Sequence, residues 1–387
     1  MLDLKLLSGE LDARKEEIVS YDTGTTTIAR SYADRLRLLD GLDRASNARL
    51  GPYSGSKVLE EGPLVRRFGH AFGSRQEATD WALDVLKDRN VVAVDGSQVY
   101  PSRHISVPIG LVQACTVVNG HGERRFSTTS RLHLMLPADF ERDGNYVYAQ
   151  APVSARRFEL ECKQIGAYMR SSPGDVVFFD GSLVLSFIRP QEEKEQAKYV
   201  AAVTGILDVA EETSSPLVAY TDMSLSKDLI TLMRHAFGLP PAGHLSDAFL
   251  ISPRLRWGDR TRAFACDRDD RPPGGGKSTL DLYGRHRDDV AYFYIMSGGQ
   301  LASKVEVPKW CVDGDDGLVD RIADTIRAEC IVRPGYPDII HRAHEYAAIS
   351  FAEAEMFRGM IDAFAAKHRI KIYKSAKELN KQLGGNG

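Results

Sequence analysis

Two short apolar runs that each end in Asp-Gly-Ser constrain the fold of this chain more than any other feature. Val91–Val94 precedes Asp95-Gly-Ser, and Val176–Phe179 precedes Asp180-Gly-Ser. Such runs predict buried strands, and a buried strand delivers its last side chain to the carboxyl edge of a sheet, where α/β proteins place their ligands. One instance is typical of an ordinary junction between a strand and a turn. Two instances favour a functional pair of carboxylates.

The order of the other elements predicts an α/β fold. Two β-rich segments follow the first run and are joined by a hairpin signal, Asn119-Gly-His-Gly, and a helix precedes the second run. Further helices and strands then alternate: helices near 190–213, 226–237, 316–330 and 338–366, and strands near 217–221, 291–296 and 303–307. This is the order of a ribonuclease H-like fold, so we expect a mixed sheet flanked by helices, with an N-terminal helical region and insertions.

Changes in residue composition and hydrophobic pattern divide the chain into three parts. Residues 1–90 are mainly helical and are the natural candidates for dimer and partner contacts, residues 91–366 form the principal domain, and residues 367–387 form a C-terminal tail. The segment 268–278, rich in glycine and proline, is expected to be an exposed loop.

Composition excludes several classes of protein. With 43% hydrophobic residues and no long apolar run, the chain has no predicted membrane span, and its N-terminus does not resemble a signal peptide. Five widely spaced cysteines fit reduced thiols, and we expect a cytoplasmic protein. The net charge of −3 does not indicate a nucleic-acid partner, but carboxylates gathered at a metal site lower the net charge even where local basic patches bind DNA.

Converging carboxylates repel one another unless cations neutralise them. Two divalent ions about 4 Å apart would do so and would also stabilise the attacking and leaving oxygens of phosphodiester cleavage. The helix between the two runs offers Glu161 and Glu159 as a third carboxylate. Glu161 borders the predicted apolar stripe and is preferred, whereas Glu159 lies farther toward solvent. Both could also be ordinary surface glutamates.

A histidine-rich helix near the C-terminus offers nitrogen ligands. His341 and His344 are three residues apart and could share one face, and a neutral imidazole can coordinate manganese. A single histidine on a helix is more often structural, so the pattern leaves both interpretations open.

Three basic clusters could follow a nucleic-acid backbone. They are Arg124-Arg125, Arg156-Arg157, and a group around Trp257 that comprises Arg254, Arg256, Arg260 and Arg262. Arginines interleaved with an aromatic residue suit single-strand binding, although a solvated loop with ordinary surface arginines fits the pattern slightly better. The run Gly274-Gly-Gly-Lys-Ser lacks the first glycine and the preceding strand of a phosphate-binding P-loop, so an ATPase is not expected.

Together these motifs resemble the NurA nucleases. The resemblance rests on VVAVDGSQ (91–98), FFDGSL (178–183), TDMSLSKDL (221–229), KVEVP (304–308) and GYPDIIHRAHEYAAI (335–349). It implies that Asp95, Glu161, Asp180 and His344 hold two Mn²⁺ or Mg²⁺ ions, that Tyr336 lies near the scissile phosphate, and that Lys227 contacts a phosphate. Asp222, an acid before that lysine, departs from the family pattern and is either a further ligand or a strand-end residue.

The resemblance also implies an activity and partners. Members of the family are manganese-dependent DNA nucleases that act on single strands and, in the 5′ to 3′ direction, on duplexes. They work as dimers with a hexameric HerA ATPase in DNA end processing or phage defence. Two alternatives stay open at this point: a phosphoesterase of the same fold that acts on RNA or junctions, and a non-catalytic docking subunit of a translocase.

Overall fold

Strands and helices alternate through most of the chain in a computed structural model that describes residues 2–121, 126–142, 144–314 and 317–376. The strands are β1 (Gly55–Val58), β2 (Val65–Arg66), β3 (Val91–Val99), β4 (Gly110–Asn119), β5 (Ser127–Met135), β6 (Glu141–Arg142), β7 (Asn145–Tyr146), β8 (Val176–Asp180), β9 (Leu217–Thr221), β10 (Arg260–Thr261), β11 (Phe264–Asp267), β12 (Val290–Ile295) and β13 (Ser303–Pro308). The helices are α1 (Leu4–Ala13), α2 (Lys15–Ala33), α3 (Arg75–Leu86), α4 (Ala151–Ser171), α5 (Glu193–Thr213), α6 (Asp228–Phe237), α7 (Asp247–Ile251), α8 (Trp310–Asp313), α9 (Leu318–Val332), α10 (Asp338–Ala347) and α11 (Phe351–Lys367).

One large mixed sheet organises these elements. Its strand order is β1-β11-β12-β13-β9-β8-β3-β4-β5, and the short strands β2 and β10 extend it beside β12. Strands β3, β4 and β5 are antiparallel, whereas β3, β8 and β9 are parallel. The predicted fold class, a ribonuclease H-like mixed sheet flanked by helices, is confirmed.

The centre of the sheet is buried on both faces, which explains the continuous apolar runs. In β3, Val92 and Val94 face a core that includes residues of α4 and α5, whereas Val91 and Ala93 face a second core that includes residues of α3, α9 and α10. Because side chains alternate along a strand, Asp95 belongs to the second face and Gly96 to the first. Helices from both faces can therefore reach the end of β3.

The N-terminal region contributes to this same sheet. Strand β1 pairs with β11, and β2 pairs with β10. Tyr32, Leu36 and Leu39 are at most 2% exposed within the first core, whereas α1 buries none of its residues. Residues 1–90 are thus mainly helical but are joined to the following domain through the sheet.

The remaining segments lie at the periphery of the fold. Residues 271–277 of the predicted loop are exposed. Lys374 pairs with Ile105, and residues 377–387 of the predicted tail lie outside the described residues, as do Arg124 and Arg125. No helix in the described ranges has both the length and the apolarity to cross a membrane.

Candidate active site

The two Asp-Gly-Ser sequences meet at one edge of the sheet. The parallel register pairs Val94 of β3 with Phe179 of β8, so Asp95 and Asp180 follow side by side. Asp95 is 8% exposed. Desolvation and the neighbouring Asp95 carboxylate raise the pKa of Asp180, while a hydrogen bond from Tyr336 opposes this shift. The edge therefore carries two carboxylates whose negative charges repel each other.

Glu161 reaches this edge from α4 on the other face of the sheet. Its side chain lies over Gly96, where a Cβ atom would stand 2.3 Å from Glu161 Oε1 and 2.9 Å from the carbonyl oxygen of Gln113. Glycine is therefore required here for close approach, not for an unusual backbone angle. Desolvation, Asp95 and Asp180 together raise the pKa of Glu161 to about 8, against the opposing effect of Arg157.

Glu159 points elsewhere. It forms an ion pair with Arg156 at 2.9 Å and is partly exposed. Of the two glutamates that the sequence offered, the structure brings only Glu161 to the carboxylate pair.

Helix α10 and the segment before it supply the other predicted side chains from the opposite face. His344 Nδ1 lies 2.9 Å from Asp95 Oδ2, although the His344 side chain is 68% exposed. The hydroxyl of Tyr336 donates to Asp180 Oδ1 at 2.7 Å, and its ring packs edge-on against Tyr220. His341 instead pairs with Glu345 at 3.0 Å.

Arg157 supplies a positive charge that the sequence did not assign to the site. Its Nη1 atom lies 3.2 Å from Glu161 Oε1 and donates to the carbonyl oxygen of Gly96 at 3.1 Å. The sequence placed Arg157 only in a basic cluster for the DNA backbone. Its position four residues before Glu161 on a helix was the signal that could have indicated this ion pair.

The donor set fits a hard divalent cation, since carboxylate oxygens and an imidazole nitrogen are ligands of Mg²⁺ and Mn²⁺. In the part of the chain that the structure describes, no three His, Cys, Asp or Glu side chains are arranged to hold one ion together. Asp95, Asp180 and Glu161 are instead engaged by His344, Tyr336 and Arg157. Glu161 Oε1 is nevertheless buried and lacks a hydrogen-bond partner, as expected of a carboxylate oxygen whose natural partner is a cation.

Two further polar residues lie at the same edge. Lys227 borders a polar cavity of about 400 Å³ that also contacts Ser182 and Thr221, and its amine donates to the carbonyl oxygen of Gly243. Asp222 lies just past the end of β9, is exposed, and accepts a hydrogen bond from Ser303. The structure shows no direct contact of Asp222 with the carboxylates.

The predicted single-strand cluster around Trp257 divides into two kinds of residue. Arg254 and Arg256 are exposed, and Trp257 is half-buried, with its ring 5.6 Å from that of Phe68 and 5.9 Å from that of Phe72.

For the other two arginines of that cluster, the expectation of a solvent-facing basic patch is wrong. Arg260 is 1% exposed and is bound between Glu60 and Asp320, at 2.6 and 2.7 Å. Arg262 is fully buried and donates to the carbonyl oxygens of Leu39, Leu42 and Gly62. Both arginines stabilise the fold through partners that are distant in sequence. These partners lie in the N-terminal region for both arginines and also in α9 for Arg260, so no local pattern indicates them.

These features define a class of protein: a mixed α/β fold with an acidic site, built from both faces of the sheet, at the carboxyl edge of its parallel strands. The NurA domain matches residues 89–349, which is well over half of the chain. The chain therefore belongs to the NurA family, a family of nucleases.

Solved structures show a partial likeness. The crystal structure of NurA with manganese is 12% identical, with a TM-score of 0.45 over 76% of this chain and 97% of that one. NurA bound to dAMP and manganese is also 12% identical, with a TM-score of 0.41 over 70% and 86%. Kluyveromyces polysporus Argonaute with a guide RNA is 9% identical, with a TM-score of 0.26 over 70% of this chain and 27% of that one. The search of curated proteins found no match.

Proposed function

We propose that this protein is a metal-dependent deoxyribonuclease that hydrolyses phosphodiester bonds with two Mn²⁺ or Mg²⁺ ions. The observation that carries the proposal is the meeting of Asp95, Asp180, Glu161 and His344, which come from β3, β8, α4 and α10. A cluster of three carboxylates costs stability unless a cation neutralises it, so its retention at one edge argues for a metal-binding function. The NurA structures with manganese support the choice of metal.

Each of these residues has a proposed role. Asp95, Asp180, Glu161 and His344 would hold the ions, which supply Lewis-acid stabilisation and an activated water when bound. Tyr336, whose hydroxyl already contacts Asp180, would orient the phosphate, and Lys227 would place a positive charge at the polar cavity beside β9. When metal is bound, Asp180 would release the Tyr336 hydroxyl, which could then donate to the substrate, and Asp95 would release His344, which could then serve as a ligand.

The sheet edge offers a path for a single strand. Strands β8, β9 and β12 run in the same direction, so their carboxyl ends lie along one edge, and Gly258 donates to Met296 just beyond β12. From β8, the successive neighbours along the sheet are β9, β13, β12 and the segment that leads into β10, which contains Trp257. Four spacings of about 4.8 Å therefore put Trp257 roughly 19 Å from Asp180 along this edge. We propose that Trp257 stacks a base there while Arg254 and Arg256 contact the backbone.

The direction of cleavage and the partners are also proposals. We propose 5′ to 3′ exonuclease and single-strand endonuclease activity, a homodimer, a HerA-type hexameric ATPase as partner, a cytoplasmic location, and a role in DNA end processing or phage defence. The exposed apolar residues of α1, including Leu4, Leu6 and Leu11, are compatible with a protein contact in the N-terminal region.

The deciding experiment compares wild type with Asp95→Ala and with Asp313→Ala, a control at a partly exposed aspartate of α8, which follows β13 and so lies at the opposite edge of the sheet. Labelled single-stranded DNA, duplex DNA, RNA and junctions are incubated with Mn²⁺, Mg²⁺ or EDTA, with and without the ATPase. We expect Mn²⁺-dependent DNA cleavage that only Asp95→Ala abolishes. Equal cleavage by Asp95→Ala would overturn the proposed site, preference for RNA or junctions would change the substrate class, and inertness even with the ATPase would leave a docking subunit.

A further inference from the structure

Arg157 contacts one of the carboxylates that the proposed metal ions would use. Its guanidinium lies against Glu161 Oε1, which is the oxygen that approaches over Gly96. The Glu161 side chain is 7% exposed, while that of Arg157 is 34% exposed. A single positive charge thus enters the carboxylate cluster from its solvent side.

The contact between the two side chains is electrostatic and not directional. Arg157 Nη1 directs its hydrogen bond to the carbonyl oxygen of Gly96, and Glu161 Oε1 has no hydrogen-bond partner. An ion pair without a hydrogen bond is weaker than a charge-assisted one and is more readily exchanged. The guanidinium can therefore stay anchored to the backbone while Glu161 Oε1 accepts a different cation.

We propose that Arg157 is the resident counterion of the metal-free cluster, and that it stabilises the folded protein without metal while competing with the metal for Glu161. This inference rests on the proposed metal-dependent function. A positive charge at this distance lowers the repulsion among Asp95, Asp180 and Glu161, and it also repels an incoming divalent ion. Removing it should have opposite effects on these two properties. An arginine with a purely structural role would not separate them in this way.

The test compares Arg157→Met with Arg156→Met, in which the neighbouring arginine of the same helix, paired with Glu159, is changed identically. At a pH above the Glu161 pKa of about 8, so that this carboxylate is ionised, the melting temperature is measured in EDTA and with Mn²⁺, and the dissociation constant for Mn²⁺ is measured by calorimetry without DNA. For Arg157→Met we expect a melting temperature in EDTA that is lower by about 2 °C or more, and Mn²⁺ binding that is about tenfold tighter. Arg156→Met should change neither Mn²⁺ affinity nor the difference between the two melting temperatures.

A second variant ties the effect to Glu161. In a Glu161→Gln background the negative charge is absent, so adding Arg157→Met should lower the melting temperature in EDTA less than it does alone. Unchanged or weaker Mn²⁺ binding by Arg157→Met, or additive losses of stability in the double variant, would overturn the counterion role while leaving the nuclease proposal intact. If the wild-type protein binds no Mn²⁺, both proposals fail.

Discussion

His344 Nδ1 lies 2.9 Å from Asp95 Oδ2, so a helix that begins 243 residues after Asp95 packs against the end of β3. Glu161 approaches the same strand end from the opposite face, through the space left by Gly96. The site is therefore a junction of two layers of helices around one sheet edge. Its chemistry depends on how closely the helices of each layer approach that edge and on the charges that they bring there.

Replacing Glu161 by glutamine should weaken Mn²⁺ binding and lower kcat by at least about 100-fold, because a charged ligand is lost from a desolvated site. Glu159→Gln, two residues away and paired with Arg156, should leave both quantities within about twofold of the wild type. Calorimetry and a single-turnover cleavage assay measure the two variants side by side. Similar losses in both would show that Glu161 has no special role.

Glu161 should also make the stability of the metal-free protein depend on pH. Its pKa of about 8 in the folded state exceeds the ordinary glutamate value of 4.5. The folded state therefore binds this proton more tightly, and the resulting stability is full below about pH 4.5 and declines as pH rises toward 8. We expect the melting temperature of the wild type in EDTA to fall relative to that of Glu161→Gln over this window. Parallel curves for the two proteins would contradict the raised pKa.

Adding one methyl group at Gly96 should displace Glu161. The new Cβ atom would stand within 3 Å of both Glu161 Oε1 and the Gln113 carbonyl oxygen, and the latter belongs to the backbone of β4 and cannot move freely. We expect Gly96→Ala to lose about 1–3 kcal/mol of unfolding free energy and most of its Mn²⁺ affinity. Gly205→Ala, in α5 with nothing near the added atom, is the control and should be neutral or stabilising. Urea denaturation and calorimetry measure both, and normal Mn²⁺ binding by Gly96→Ala would exclude close approach as the reason for glycine.

Removing the Tyr336 hydroxyl should shift the acid limb of the pH dependence of Mn²⁺ affinity. That hydroxyl donates to Asp180 Oδ1, and this hydrogen bond lowers a pKa that desolvation and Asp95 raise. Tyr336→Phe should therefore raise the pKa of Asp180, so that the carboxylate needed for metal binding forms only at higher pH. We expect the acid limb of Mn²⁺ affinity to move to higher pH by a fraction of a unit to about one unit. If kcat falls but the acid limb of Mn²⁺ affinity does not move, Tyr336 acts on the substrate and not on the pKa of Asp180.

Much of the central sheet and part of the site could be predicted from the sequence. Strands β3 and β8 are buried on both faces, so their apolar runs are continuous. Each run is followed by an acidic residue, which is therefore expected at the edge of the sheet. Asp95, Asp180 and the preference for Glu161 over Glu159 came from such local patterns. In each case the neighbouring residues along the chain carry the information.

Tertiary structure alone decided the remaining features. It placed His344 at Asp95, brought the Arg157–Glu161 pair to the two aspartates, and buried Arg260 and Arg262 against residues that are distant in sequence. A charged residue has the same local sequence signature whether it faces solvent or a distant partner. Its burial depends on which segments the fold brings against it, and for these residues most of those segments are far away in the chain.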